Sequence, residues 1–326
     1  MDFRLDLPDL SPEFSFLALG ETGSGAGSQL VLAEKIRKEG AAAAFAVLAG
    51  NAAGPDGSWI HGAYEGDVFA VPGPDDWRDG LAGFRRQFCE GATATPTHRR
   101  SQPHMYFYLD TPHARLVFVD TGRRGRLGEE QSQWLERVSQ EPKAKVMILG
   151  RPICANGSYD DNLAGVDRLI RDHHYCLVIA GGVRNFQCYR ITALAAGRQR
   201  IVWHVVNGGA GAGLDRTDRI PPAPQMTLPT EVPLAEGKDF ECYPTREQSA
   251  ARFPPLLPNW TMDRNQPPLY KSFLRVGVTG SGLRVQLFAV EDFGPQWVEA
   301  PPYREWLIPY PEAVRVERVS RLRVVV

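Results

Sequence analysis

Short apolar segments that stop at glycine or proline constrain this chain more than any other feature. Phe14–Leu19 runs into the glycine-rich stretch Gly20–Gly27, Ala41–Leu48 stops at Gly50-Asn51, and Asp67–Val71 stops at Pro72-Gly73. Lys145–Leu149, Cys176–Ala180 and Ile201–Val206 are further apolar runs of strand length. Runs that are apolar on both sides read as strands covered on both faces. Helical patterns lie between them at Gln29–Glu39, Trp77–Glu90, Gly128–Ser139 and Asn162–Asp172, with Trp134 and Leu135 on the apolar face of the third. Strand, loop and helix in succession predict an α/β fold. Open α/β sheets hold ligands just beyond the carboxyl ends of their strands, so the turns that follow these strands are where a site is expected.

Tyr106–Asp110 and Arg115–Asp120 read as a hairpin around Thr111-Pro112-His113, and Tyr270–Thr279 and Gly282–Val290 as another turning at Gly280-Ser281. Val314–Val326 alternates as a further strand. Pro221–Pro268 is proline-rich without periodicity, the mark of a lid, a binding loop or partial disorder, with Tyr243, Phe253 and Trp260 available for apolar contact. The expected organisation is a core over 1–213, a lid or insertion over 214–268, and C-terminal strands over 269–326 that complete the same domain. At 326 residues, 43% hydrophobic and 23% charged, the chain can bury a large core. A net charge of −1 carries no broad footprint for nucleic acid. No apolar stretch is long enough to span a bilayer, and no basic segment followed by an apolar run opens the chain. The five cysteines include no CxxC pair, which reads as reduced thiols in a cytoplasmic protein.

The turns carry a recognisable series of motifs: Phe16–Gln29 (FLALGETGSGAGSQ), Val47–Ser58 (VLAGNAAGPDGS), Val71–Trp77 (VPGPDDW), Leu116–Leu135 (LVFVDTGRRGRLGEEQSQWL), Val146–Gly157 (VMILGRPICANG) and Leu177–Arg190 (LVIAGGVRNFQCYR). In this order they resemble the calcineurin-like metallophosphoesterases, especially the purple-acid-phosphatase-like branch. The resemblance covers roughly residues 14–290. It implies an α/β fold, a four-layer α/β/β/α sandwich with two metals at the strand ends, here with a Pro-rich insertion and a C-terminal hairpin and strand.

The ligand positions depart from the family pattern. Glu21 stands where the family has a ligand Asp, and Asn51 where a carboxylate bridges the metals. Pro74 replaces a ligand Asn. Asp75 occupies the position of the His that protonates the leaving group. Gly150 replaces the His of the His-x-Pro element, and Gly182 and Arg184 replace the histidines of the GHxH element. A neutral amide cannot supply the charge that holds two dications together. The surroundings persist in Trp77, the helix Gln131–Leu135, Asn156-Gly157 and Tyr189-Arg190. The resemblance therefore implies a degenerate, metal-independent member, with no cofactor or metal expected.

Several uses of the altered cleft follow. Arg184 pairing with Glu21, and Arg151 with Asp75 or Asp76, would fill the space structurally, since a buried carboxylate needs a partner. Alternatively Arg151 and Arg184, with Asn51 and Asp76 nearby, would bind a small anionic ligand, for which the guanidinium fork is suited, helped by backbone N–H groups of Gly20–Gly27. A further reading is metal-free acid/base chemistry with Asp75 and Glu21 as the catalytic pair, as in biosynthetic tailoring. His204 is a candidate for the cleft, or else a core histidine. His61 and His104 read as surface or hydrogen-bonding residues, and His173-His174 lies remote from the cleft. Arg123-Arg124-Gly125-Arg126 is a basic turn, solvated or available to a partner. The alternatives from other classes are a residual metal-dependent phosphatase built on Glu21, Asn51 and Asp75, and a non-catalytic pseudoenzyme that scaffolds or regulates.

Overall fold

Two sheets carry the fold in this computed structural model, which describes residues 2–22, 28–52, 59–90, 100–155, 158–195, 198–210, 240–243, 271–290 and 304–311. In chain order the strands are β1 (Arg4–Leu5), β2 (Phe14–Gly20), β3 (Phe45–Ala49), β4 (Asp67–Val71), β5 (Phe107–Asp110), β6 (Ala114–Val119), β7 (Ala144–Leu149), β8 (Cys154–Ala155), β9 (Ser158–Tyr159), β10 (Tyr175–Ala180), β11 (Phe186–Ala195), β12 (Arg198–Asn207), β13 (Phe240–Tyr243), β14 (Lys271–Val278), β15 (Gly282–Val290) and β16 (Arg304–Pro309). The helices are α1 (Ser28–Gly40), α2 (Trp59–Ala63), α3 (Ala82–Phe84), α4 (Glu129–Ser139) and α5 (Ala164–Asp172). The larger sheet has eight strands in the order β1-β5-β6-β7-β10-β12-β11-β13, and the smaller has six in the order β16-β15-β14-β2-β3-β4.

The alternation of side chains along each strand sorts the apolar residues into layers. Phe16 and Ala18 on β2, Phe45 and Val47 on β3, and Val146 and Ile148 on β7 point between the sheets into one shared core. Leu17, Leu19, Ala46 and Leu48 point the other way, onto Leu32 and Ile36 of α1, Ile60 of α2 and Phe84 of α3. Met147 and Leu149 cover the far face of the large sheet with Trp134 and Leu135 of α4 and Val166 and Ile170 of α5. The architecture is the expected α/β/β/α sandwich. Continuous apolar runs such as Phe45–Ala49 follow directly from burial on both faces.

The structure departs from expectation locally. Trp77–Glu90 is broken into a 3-10 turn at Asp76–Asp79, α3, and a π turn at Arg85–Cys89. Gly80 and Leu81 both take φ of 67°, and this left-handed pair ends one helical segment before the next begins. The strand expected from Ala41 starts at Phe45, because Ala43 N–H closes a turn on Gly40 O at 2.8 Å. Strands β11 and β16 were not evident from the sequence pattern. Of Pro221–Pro268 only β13 is described, paired to β11, so the lid and its residues Phe253 and Trp260 lie outside the described residues. The strand at Val314–Val326 does too. No helix among the described residues is long and apolar enough to cross a membrane.

The carboxyl ends of the two sheets meet backbone to backbone. A Cβ added at Gly181, after β10, would lie 1.8 Å from Ala49 O at the end of β3. One added at Gly150, after β7, would lie 1.9 Å from Pro72 O, after β4. The Asn207 side-chain amide, at the end of β12, donates to Ala18 O of β2 at 2.6 Å and ties one sheet to the other. Gly181→Ala is therefore expected to cost about 3 kcal/mol or more, since overpacking against backbone cannot relax by rotamer change. Gly165→Ala on α5, where a new Cβ meets nothing within 4 Å, is expected to gain roughly 0.5–1 kcal/mol. Urea unfolding of the two variants measures both effects.

Candidate functional site

The turns after β2, β3, β4, β7 and β10 converge on Glu21. This residue follows Gly20 and takes a left-handed φ of 64°, and Asn51 does the same at 49°. Such backbone is uncommon outside glycine, and for Glu it costs energy that its surroundings must offset. Glu21 N–H donates to Gly50 O at 3.2 Å. The Asn51 amide donates to both carboxylate oxygens of Glu21 at 2.9 Å, and Gly182 N–H donates to one of them at 2.9 Å. Asp75 N–H donates to Asn51 Oδ1 at 2.8 Å. That last bond fixes the amide orientation, because the oxygen must face Asp75 and the NH₂ must face Glu21.

Glu21 is buried, and desolvation lifts its pKa from 4.5 to about 7 against the lowering pull of Asn51 and Gly182. Asp75 raises it further and Arg184 lowers it. Asp120, at the end of β6, is likewise pushed up to about 6 by burial, while Gly122 N–H and Trp77 Nε1–H both donate to its Oδ1, at 2.8 and 3.2 Å. Asp120 was not among the expected site residues. Its only signal in the sequence is an acidic residue closing an apolar run.

The other expected residues divide. Asp76 is buried and its Oδ2 accepts from Ala52 N–H at 3.1 Å and Gly73 N–H at 2.8 Å, so it anchors turns. Asp75 is exposed and pairs with Arg78 at 2.7 Å. Arg151 pairs with Asp160 at 2.7 Å instead of with Asp75 or Asp76. Arg184 is exposed and acts on Glu21 as a neighbouring charge, while the hydrogen bonds to that carboxylate come from Asn51 and Gly182. The direct contacts to that carboxylate are amide and backbone N–H groups, and the Arg184 guanidinium contributes through its charge. His204 is not in the cleft. It shares its face of β12 with Val202 and Val206, which pack into the α4/α5 layer. There it is buried, feels the charge of Asp167, and has its pKa lowered to about 4 by desolvation.

No protein-family model matches the sequence, and no curated protein matches it. Solved structures do. GAP50, the anchor in the inner membrane complex of Plasmodium, superposes with a TM-score of 0.58 at 13% identity over 92% of this chain and 89% of that one. Purple acid phosphatase PPD1 from yellow lupin seeds superposes with a TM-score of 0.57 at 12% identity, over 95% of this chain and 56% of that one. The chain has the calcineurin-like metallophosphoesterase fold. At these identities the likeness speaks for the fold and not for the activity.

That fold implies two metals, and the donors present are poorly suited to hold them. At Gly150, where the sequence resemblance implies a ligand position, any side chain would begin 1.9 Å from Pro72 O. Gly182 takes a φ of 82°, and a Cβ there would sit 3.1 Å from Arg151 Cα. Pro74 offers no donor atom. Asn51 has its oxygen and its NH₂ already engaged. Among the described residues no group of three or more His, Cys, Asp or Glu side chains is placed to hold a metal ion. These residues do not fit a dinuclear centre of the phosphoesterase type.

The Glu21 shift gives a pH dependence with a defined sign. Its folded pKa lies above the unfolded value, so the native state is favoured by this group below about pH 4.5 and loses that contribution as pH rises through about 7. A shift of this size corresponds to about 3 kcal/mol. Gln at this position imitates the protonated acid. The stability of Glu21→Gln relative to the parent is expected to rise by up to about 3 kcal/mol between about pH 4 and pH 8, read from urea unfolding at each pH. An unchanged difference across that range would show that Glu21 titrates normally.

Proposed function

We propose that this protein is a metal-independent member of the phosphoesterase fold that acts as a non-catalytic binding module, its former metal cleft turned into a structural lock. The observation that carries the proposal is the contact at Gly150, where a Cβ would fall 1.9 Å from Pro72 O. A ligand histidine at this point would require the ends of β7 and β4 to separate. The donors that remain are consumed internally: Glu21 by Asn51 and Gly182, and Asp76 by Ala52 and Gly73. A similar fold described as an anchor, GAP50, supports a role in assembly by analogy of fold alone. Among the described residues Cys89, Cys154, Cys176 and Cys188 form no disulfide, which accords with a cytoplasmic location.

A second reading keeps chemistry or anion binding at the cleft. Its support is that Glu21, poised at about 7, sits within the fields of Asp75 and Arg184, and a group poised near neutrality suits proton transfer. Asp75, the other half of the expected pair, is engaged with Arg78 at the surface.

The test is direct. After incubation with manganese, iron(II) or zinc and desalting, metal content by plasma mass spectrometry is expected to stay well below one ion per chain. Hydrolysis of p-nitrophenyl phosphate and bis-p-nitrophenyl phosphate is expected to match the buffer blank. Two tightly held ions, with hydrolysis lost in Glu21→Ala, would overturn the proposal. A thermal shift with small phosphorylated or carboxylated anions that disappears in Arg184→Ala would favour the second reading.

A further inference from the structure

The turn between β6 and α4 carries Arg123, Arg124 and Arg126, all exposed. It is held as a rigid unit. Gly122 and Gly125 take φ of 62° and 73°, and Gly122 N–H is bonded to Asp120, whose carbonyl also accepts from Gln131 at 2.8 Å. Strands β6 and β7 are parallel neighbours, so the turns that follow them lie side by side at the carboxyl edge of the large sheet. They are stitched together. Arg126 Nε–H donates to Asn162 Oδ1 at 3.1 Å, the Asn162 NH₂ donates to Asp160 Oδ1 at 3.0 Å, and Asp160 Oδ2 accepts from Arg151 Nε–H at 2.7 Å. Gly125 fits beneath this network, with Asp160 Oδ2 3.1 Å from where its Cβ would be.

Within that network Arg151 and Asp160 form an ion pair, and Arg126 is held by the neutral amide of Asn162. Arg123 and Arg124 have no hydrogen bond or ion pair among the described residues. The nearest acid along the chain, Asp120, is buried and accepts from Gly122 and Trp77, and at the start of α4 Glu129 accepts from Gln133 at 3.2 Å. Two unpaired guanidinium groups on a preorganised turn are an unspent capacity for planar, bidentate recognition of carboxylates. The turn displays them from consecutive positions and lies on open surface, which suits an extended partner better than a small ion. The small net charge of the chain, −1, argues against a general polyanion surface of the nucleic-acid type.

We infer that Arg123 and Arg124 form a docking site for an acidic, Asp/Glu-rich segment of a partner protein. The inference deepens the binding-module reading by naming the partner's chemistry, yet it rests on residues outside the former metal cleft. Metal content and hydrolysis test that reading, and peptide binding tests this one.

A fluorescein-labelled decaglutamate peptide, titrated with the full chain and followed by anisotropy, is expected to bind and to weaken as salt is raised. Arg123→Glu/Arg124→Glu is expected to weaken binding at least tenfold, and the milder Arg123→Gln/Arg124→Gln at least threefold. Arg37→Glu/Arg86→Glu, a charge-matched pair on the helices over the small sheet, is expected to stay within twofold of the parent. Equal losses in the two reversal pairs, or no loss in either, overturn the inference. Binding of sodium tripolyphosphate that depends on Arg123 and Arg124, without binding of the peptide, overturns it in favour of a phosphate ligand.

Discussion

The rest of the molecule depends on one contact, the meeting of bare backbone where the two sheets end. Gly181 lies against Ala49, Gly150 against Pro72, and the Asn207 amide reaches from one sheet to Ala18 of the other. This approach leaves no room for a side chain at Gly150 or Gly181. It brings the turns that bear Glu21, Asn51, Asp75 and Gly182 within hydrogen-bond distance of one another. Glycine at these positions is a requirement of the packing and not only a freedom of the turn.

A carboxylate enclosed in this way needs compensation. A dication or a guanidinium would supply it by charge. Here the compensation comes from three N–H donations to its oxygens and from the proton that desolvation favours. Glu21 has an acidic group where the sequence pattern has one, and that group joins three turns. Asp76 ties turns together in the same way, its carboxylate accepting from Ala52 and Gly73 N–H.

Much of the architecture was legible in the sequence, because strands buried on both faces leave unmistakable apolar runs. The strands expected at Phe14, Asp67 and Cys176 and the hairpin turning at Gly280-Ser281 appear within a residue of where the pattern put them. The broken helix after Trp77 was not legible, because its interruption lies in the left-handed backbone of Leu81, a residue with no propensity for it. At the site, the sequence identified which residues stand at the strand ends but not how they pair. Arg151 turned to Asp160, nine positions along its own loop, and His204 turned to the helical layer because of its parity on β12. Those choices depend on loop conformation and strand register, which residue identity alone does not encode.

The smaller sheet joins distant parts of the chain, with Ala18 of β2 opposite Leu274 of β14. During synthesis, β2, β3 and β4 leave the ribosome long before the strand that covers their open edge. Until β14 arrives, β2 presents unpaired N–H and C=O groups beside an apolar surface, a template for association with other nascent chains. The protein therefore completes its second layer only after most of the polypeptide has been made. Shielding of that waiting edge during synthesis therefore favours the folded chain over association.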